Sequence, residues 1–255
     1  MVPAAHAANA NLFVSAENAQ FSNYMSGPQV IEVVVIDTNI NDTSVGEGAP
    51  DVTVNGKDLI MVQAADGNWY GYFADVKMAQ IADSTSTTAG QGLDFGVFCS
   101  NAFNLQGGGA TSVPLTDTVG VAIADPADVT GELVTGSDTG AAITATCTST
   151  NNDNFVPDTT NVIREQKAIN PFPAGEDSGQ IGIDEDFWPF IQLYALNPTG
   201  NVVVTYNKGG GAQTTTLTFD TVSQFVTTAL DKAKYTTTSQ VHTTITDLWL
   251  NIDPT

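Results

Sequence analysis

The chain has 255 residues, with 7 lysines and arginines against 28 aspartates and glutamates, giving a net charge of −21. A polyanion of this kind excludes nucleic acid and anionic membrane surfaces as partners and attracts small cations instead. Apolar residues make up 42 %, enough for a packed core, and no run of about 18 apolar residues occurs, so no transmembrane segment is expected in this chain.

Residues 1–10 are expected to form an N-terminal tail. Val2-Pro3-Ala4-Ala5-His6-Ala7 reads as the end of a signal peptide, with a small-x-small cleavage pattern closing at Ala7. The basic and apolar regions of such a peptide are missing, so the sequence is expected to begin inside a longer, secreted precursor. Strand signals follow. Residues 11–15 are a short apolar run, and 29–37 (QVIEVVVID) are β-branched nearly throughout. Residues 51–54 alternate and stop at Asn55-Gly56, residues 59–62 stop near Asp66-Gly67, and 69–73 form an aromatic strand. This regular punctuation predicts a β-sandwich. Residues 75–82 predict a short helix crossing between sheets, and 93–98 return to strand.

From 105 to 160 the sequence is rich in Gly, Thr, Ser, Asp and Asn and predicts a loop-rich insertion with short strands near 119–124, 131–135 and 142–147. Strands resume at 190–194, 202–206 and 214–219, separated by an Asn197-Pro198-Thr199-Gly200 turn and a Lys208-Gly209-Gly210-Gly211 loop. Residues 31–41 (IEVVVIDTNIN) and 241–251 (VHTTITDLWLN) share a strand ending in Asp followed by Asn, pairing Asp37 with Asp247 and Asn41 with Asn251. The expected organisation is an all-β, immunoglobulin-like β-sandwich over 11–222 and the start of a second such module over 223–255, the opening of a longer array.

Two cysteines, Cys99 and Cys147, predict a disulfide at the base of the insertion; the alternative is two buried thiols. Closely spaced hard oxygens at Asp37, Asn39 and Asp42 suggest structural Ca2+, a reading partly repeated by Asp247 and Asp253. Asp184 and Asp186 form a second cluster, and 152–158 a third. Solvated turns with Asx capping account more simply for any single one of these clusters, while at least one calcium site among them is expected. Asn41-Asp42-Thr43 is the one glycosylation tripeptide, and Asn41 cannot be both glycosylated and a tight metal ligand. The histidines are His6 and His242, and no Ser-His-Asp or Cys-His set can be built from them, so no catalytic residues are assigned and no enzyme is expected. Trp69, Tyr70, Trp188 and Trp249 are expected to pack in the core rather than stack on carbohydrate.

Several segments resemble a known family. LFVSAEN (12–18), VIEVVVIDTNIND (30–42), PDVTVNGKDLIMVQAADGNWYGYFAD (50–75) and GQGLDFGVFC (90–99) are similar to the N-terminal region of surface-layer (S-layer) proteins of ammonia-oxidising archaea. Residues 230–255 resemble the opening of an immunoglobulin-like domain in archaeal surface-layer proteins. The resemblance implies tandem sandwiches that self-associate into a porous two-dimensional lattice at the cell surface. It implies a structural coat, acidic enough to enrich cations. A secreted adhesin or immunoglobulin-like binding module with a discrete partner is the alternative, and an extracellular hydrolase carrying a β accessory domain is a third.

Overall fold

The computed structural model describes residues 9–17, 23–85, 93–105, 113–123, 134–135, 148–149, 167–171, 177–220 and 226–247. In chain order the strands are β1 (Leu12–Val14), β2 (Tyr24–Ser26), β3 (Ile31–Val35), β4 (Val52–Val54), β5 (Lys57–Asp58), β6 (Val62–Gln63) and β7 (Trp69–Asp75). Helix α1 (Val76–Asp83) follows, then β8 (Val97–Ser100), β9 (Gly120–Ile123), β10 (Val134–Thr135) and β11 (Thr148–Ser149). The last strands are β12 (Phe190–Tyr194), β13 (Asn201–Tyr206), β14 (Gln213–Asp220), β15 (Thr227–Leu230) and β16 (Thr243–Thr246).

Two large sheets make an all-β sandwich. The seven-stranded sheet runs β1-β3-β7-β12-β9-β8, with β6 beside β7. The five-stranded sheet runs β2-β14-β13-β4-β5. The β-branched run at 31–35 and the aromatic run at 69–75 pair antiparallel as neighbours, with Ile31 opposite Phe73 and Val35 opposite Trp69. Alternation along β7 then feeds two cores. Trp69 and Phe73 point between the sheets, against Val33, Val54, Val204, Leu217 and Phe219. Tyr70, Tyr72 and Ala74 point to the opposite face, against α1, Phe98, Trp188 and Ile191. Every residue of β7 is buried, and at about 1.5–3 kcal/mol for each large side chain this strand anchors the domain. Gly71 sits at its middle because a Cβ there would come within 2.7 Å of Met61 Sδ. Trp69, Tyr70 and Trp188 are all buried in these cores, and Trp249 lies outside the described residues.

Turn chemistry follows the sequence closely. Asn55 (φ 52°) and Gly56 (φ 75°) both take the left-handed conformation that a tight hairpin between β4 and β5 requires. Asn55 also accepts the Val203 amide on its Oδ1 at 2.8 Å, fixing that hairpin to β13. The Asp75 carboxylate accepts the amides of Lys77 (3.1 Å) and Met78 (2.9 Å), which starts α1 where the sequence places it. The helix does not cross between sheets, however: it connects β7 and β8, two strands of the same sheet. Its short apolar face, Val76, Ala79 and Ala82, is long enough only to cover that sheet. Two pairings are parallel, β12 with β7 and β14 with β2. They depart from the purely antiparallel pairing of constant-type immunoglobulin sandwiches.

Within the insertion, β9 joins the large sheet between β12 and β8, and β10 and β11 pair with each other as a two-stranded sheet. The strand expected at 142–147 lies outside the described residues, as do the signal-like residues 1–8. The strands β15 and β16 form a separate hairpin, exposed at every position. Among the described residues, no helix is long and apolar enough to cross a membrane.

Candidate functional site

The sandwich closes at one end around a polar junction built from four distant segments. Asp37 follows β3 and is only 2 % exposed. Its Oδ1 accepts the Asn39 amide at 3.0 Å, and its Oδ2 accepts the Tyr206 hydroxyl at 3.0 Å. The same Oδ2 lies 2.6 Å from Lys208 Nζ, an ion pair between the two sheets, and the Lys208 side chain is 25 % exposed. Lys208 also donates to Asn11 Oδ1 at 3.1 Å. Gln213, the first residue of β14, donates to that same oxygen at 2.7 Å. On its other side Gln213 accepts the backbone amides of Asn11 (2.8 Å) and Leu12 (3.1 Å). Asn11 Nδ2 donates to the Ile36 carbonyl at 2.7 Å. Each amide orientation is therefore fixed by a donor on one end and an acceptor on the other.

Burial pushes the Asp37 carboxyl up, but hydrogen bonds from Lys208, the Asn39 amide and Tyr206 outweigh it and hold the group below its usual range. Tyr206 is pushed up to about 12, chiefly by burial and then by its bond to Asp37.

A second network pins the loop that carries the glycosylation tripeptide. Gln63, fully buried on β6, accepts from Asn170 Nδ2 at 2.6 Å and from Gln180 Nε2 at 2.8 Å. Gln180 donates in turn to the carbonyls of Asp42 (3.0 Å) and Val45 (2.9 Å), and Asn170 to that of Thr43 (3.2 Å). Trp69 Nε1 donates to the Ile40 carbonyl at 2.8 Å. The loop's carbonyls thus face inward, and Asn41 stands exposed.

This geometry bears directly on the expected calcium ligands. Asp37 turns into the sandwich toward Lys208. Asp42 instead bonds the Ser44 hydroxyl (2.7 Å) and amide (2.8 Å), which hold its carboxyl below the ordinary value. Asn39 is exposed. Calcium takes six to eight converging oxygens; here Asp37 is engaged by Lys208 and Tyr206, Asp42 by Ser44, and the loop carbonyls of Ile40, Asp42, Thr43 and Val45 by side-chain donors. Asp184 is half-buried beside the single turn Glu185–Phe187, and Asp247 is half-buried after β16. The Asp186 side chain and Asp253 lie outside the described residues. Among the described residues no group of three or more His, Cys, Asp or Glu side chains gathers to hold a metal. Cys99 is buried on β8 and carries no free thiol; Cys147 lies outside the described residues.

Lys208, Asn11, Gln213 and Tyr206 were not singled out by the sequence, although Lys208 is one of only 7 cationic residues. Lys208 and Asn11 are 197 positions apart, and Tyr206 and Asp37 169, beyond the reach of any local pattern. No family model matches the chain, and no curated protein matches it.

Proposed function

We propose that the chain is a structural cell-surface protein, a unit of a porous acidic surface-layer lattice that coats the cell and enriches small cations. The observation that carries this reading is how charge and neutrality are distributed on the molecule. The chain carries −21, yet the outer face of the five-stranded sheet is uncharged where Thr53 of β4, residues 201–205 of β13 and residues 214–218 of β14 adjoin; Asp220, at the end of β14, lies beyond that stretch and is buried. Thr53, Thr205 and Thr214 lie side by side in register there, with Thr216 opposite Val203 and Thr218 opposite Asn201. Such a hydroxyl-rich face lets a neighbouring copy approach without facing a wall of carboxylates. Divalent cations such as calcium would screen the carboxylates between copies. The similarity of segments 12–18, 30–42, 50–75 and 90–99 to archaeal surface-layer proteins supports the same reading. The exposed Asn41 would carry surface glycan, and a Cys99–Cys147 bridge suits an oxidising exterior.

Electron microscopy of the purified protein, with calcium and with a chelator, tests the proposal. Ordered sheets that dissolve on chelation are expected; a protein that stays monomeric at high concentration in calcium-rich brine would refute it. The β15–β16 hairpin favours a second reading, a secreted binding module. Leu230 (57 %), Val241 (54 %) and Ile245 (62 %) are exposed on it and offer an aliphatic patch to a discrete partner. Light scattering separates the two, because an adhesin needs no calcium-dependent self-association.

A further inference from the structure

We propose that Lys208 and Asn11 react with each other to form an intramolecular amide cross-link, with Asp37 as the proton carrier and Gln213 as the donor to the developing oxyanion. The case rests on four groups meeting at one point with complementary roles. Lys208 Nζ, an amine once deprotonated, lies against the Asn11 carboxamide, 3.1 Å from its Oδ1. Asp37 Oδ2 is 2.6 Å from the same Nζ and can take its proton. The Asp37 side chain is only 2 % exposed, so its Oδ2 faces Lys208 and Tyr206 rather than bulk water. Gln213 Nε2 is 2.7 Å from Asn11 Oδ1, the atom on which negative charge appears when Cγ is attacked. The Ile36 carbonyl holds Asn11 Nδ2 at 2.7 Å, so the leaving nitrogen is already turned away from the attacking amine.

The balance closes without a co-reactant. The Lys208 ammonium passes a proton to the Asp37 carboxylate, and the neutral amine attacks Asn11 Cγ, forming the new C–N bond. The tetrahedral intermediate places its negative oxygen on Gln213. Collapse breaks the Cγ–Nδ2 bond, while Asp37 relays protons from the former lysine nitrogen to the departing one. That nitrogen leaves as ammonium, and Asp37 returns to carboxylate. Proximity supplies most of the acceleration, since both reactants are held by the fold before the step begins.

The product would join two sheets. Asn11 immediately precedes β1 of the seven-stranded sheet, and Lys208 follows β13 of the five-stranded one. The bond would close a loop running across 197 positions of the chain. It would rivet the start of the sandwich to its last hairpin, whichever surface role the protein has.

Mass spectrometry of the full-length purified chain, reduced and denatured, tests this. The expected result is a mass lower by one ammonia than the sequence requires, with a branched peptide joining Asn11 to Lys208 after proteolysis. Lys208→Arg keeps the ion pair and the fold, and should show the full mass with no branched peptide. Asp37→Asn should lose the cross-link while its circular dichroism stays that of a folded sheet protein. The full mass in the wild-type chain after prolonged incubation would overturn the proposal. So would ammonia loss without the branched peptide, which marks an unrelated asparagine reaction. A cross-link formed equally in Asp37→Asn would overturn the role given to Asp37.

Discussion

Replacing Gln63 with leucine keeps the side chain's bulk but removes the one acceptor shared by two amides. Gln63 Oε1 takes hydrogen bonds of 2.6 Å from Asn170 and 2.8 Å from Gln180, and its Nε2 makes two longer ones, 3.3 Å each, to the Ile40 and Gly67 carbonyls. Gln180 Nε2 keeps the Asp42 and Val45 carbonyls, and Ile40 keeps Trp69, so those losses are softened. Asn170 is only 2 % exposed and keeps Thr43, but loses its shortest bond. A buried donor stripped of its acceptor costs about 1–3 kcal/mol, and weak neutral bonds add about 0.5 kcal/mol each, so Gln63→Leu should destabilise by roughly 2–4 kcal/mol. Denaturant unfolding measures this as a lower midpoint at an unchanged slope. Hydrogen exchange should locate the loss in the 40–47 loop, and a double-mutant cycle with Asn170→Leu should show coupling between the two sites. A change within about 0.5 kcal/mol, the level of an ordinary surface substitution, would refute the idea that these amides hold the Asn41 loop.

Gly71→Ala places a methyl 2.7 Å from Met61 Sδ and 3.1 Å from the Ile60 carbonyl. It should cost about 1–3 kcal/mol by overpacking, read from the same unfolding curves. Tyr70 is pushed up to about 12 by burial and by its bond to Asp66. An unfolded tyrosine ionises near its ordinary value of 10.0. Between these values the unfolded state has already lost its proton while the folded state retains it. Stability should therefore fall as pH rises through that window, and Tyr70→Phe should flatten the slope. Intact mass before and after reduction tests the Cys99–Cys147 bridge. Its removal should lower stability by about 4 kcal/mol in the chain-entropy account.

What the sequence made legible was local. β-branched and aromatic runs announce β3 and β7, Asn55-Gly56 announces its hairpin, and the run at 75–82 announces α1, because each signal needs only neighbouring residues. The parallel pairing of Tyr24 with Thr218 has no such signal. Neither has the direction of the Asp37 side chain: nothing in the residues around Asp37 points to the lysine 171 positions later (208 − 37) that folds against it. The Gln63 network was invisible for the same reason. Three amides spread over residues 63–180 have no period, and only burial makes them partners.

The parallel alliance of β2 with β14 also dictates when the domain can be finished. Met25 finds its partner Phe219 only after nearly the whole sandwich has been made. β7 likewise waits for β12. A chain emerging N-terminus first would leave β2 without that partner until β14 arrives. Such high contact order makes maturation slow. Early strands with open edges are prone to the wrong neighbours during that interval. A holding factor, or the many carboxylates that keep unfinished chains apart, would have to guard the nascent protein until its final strand slots home.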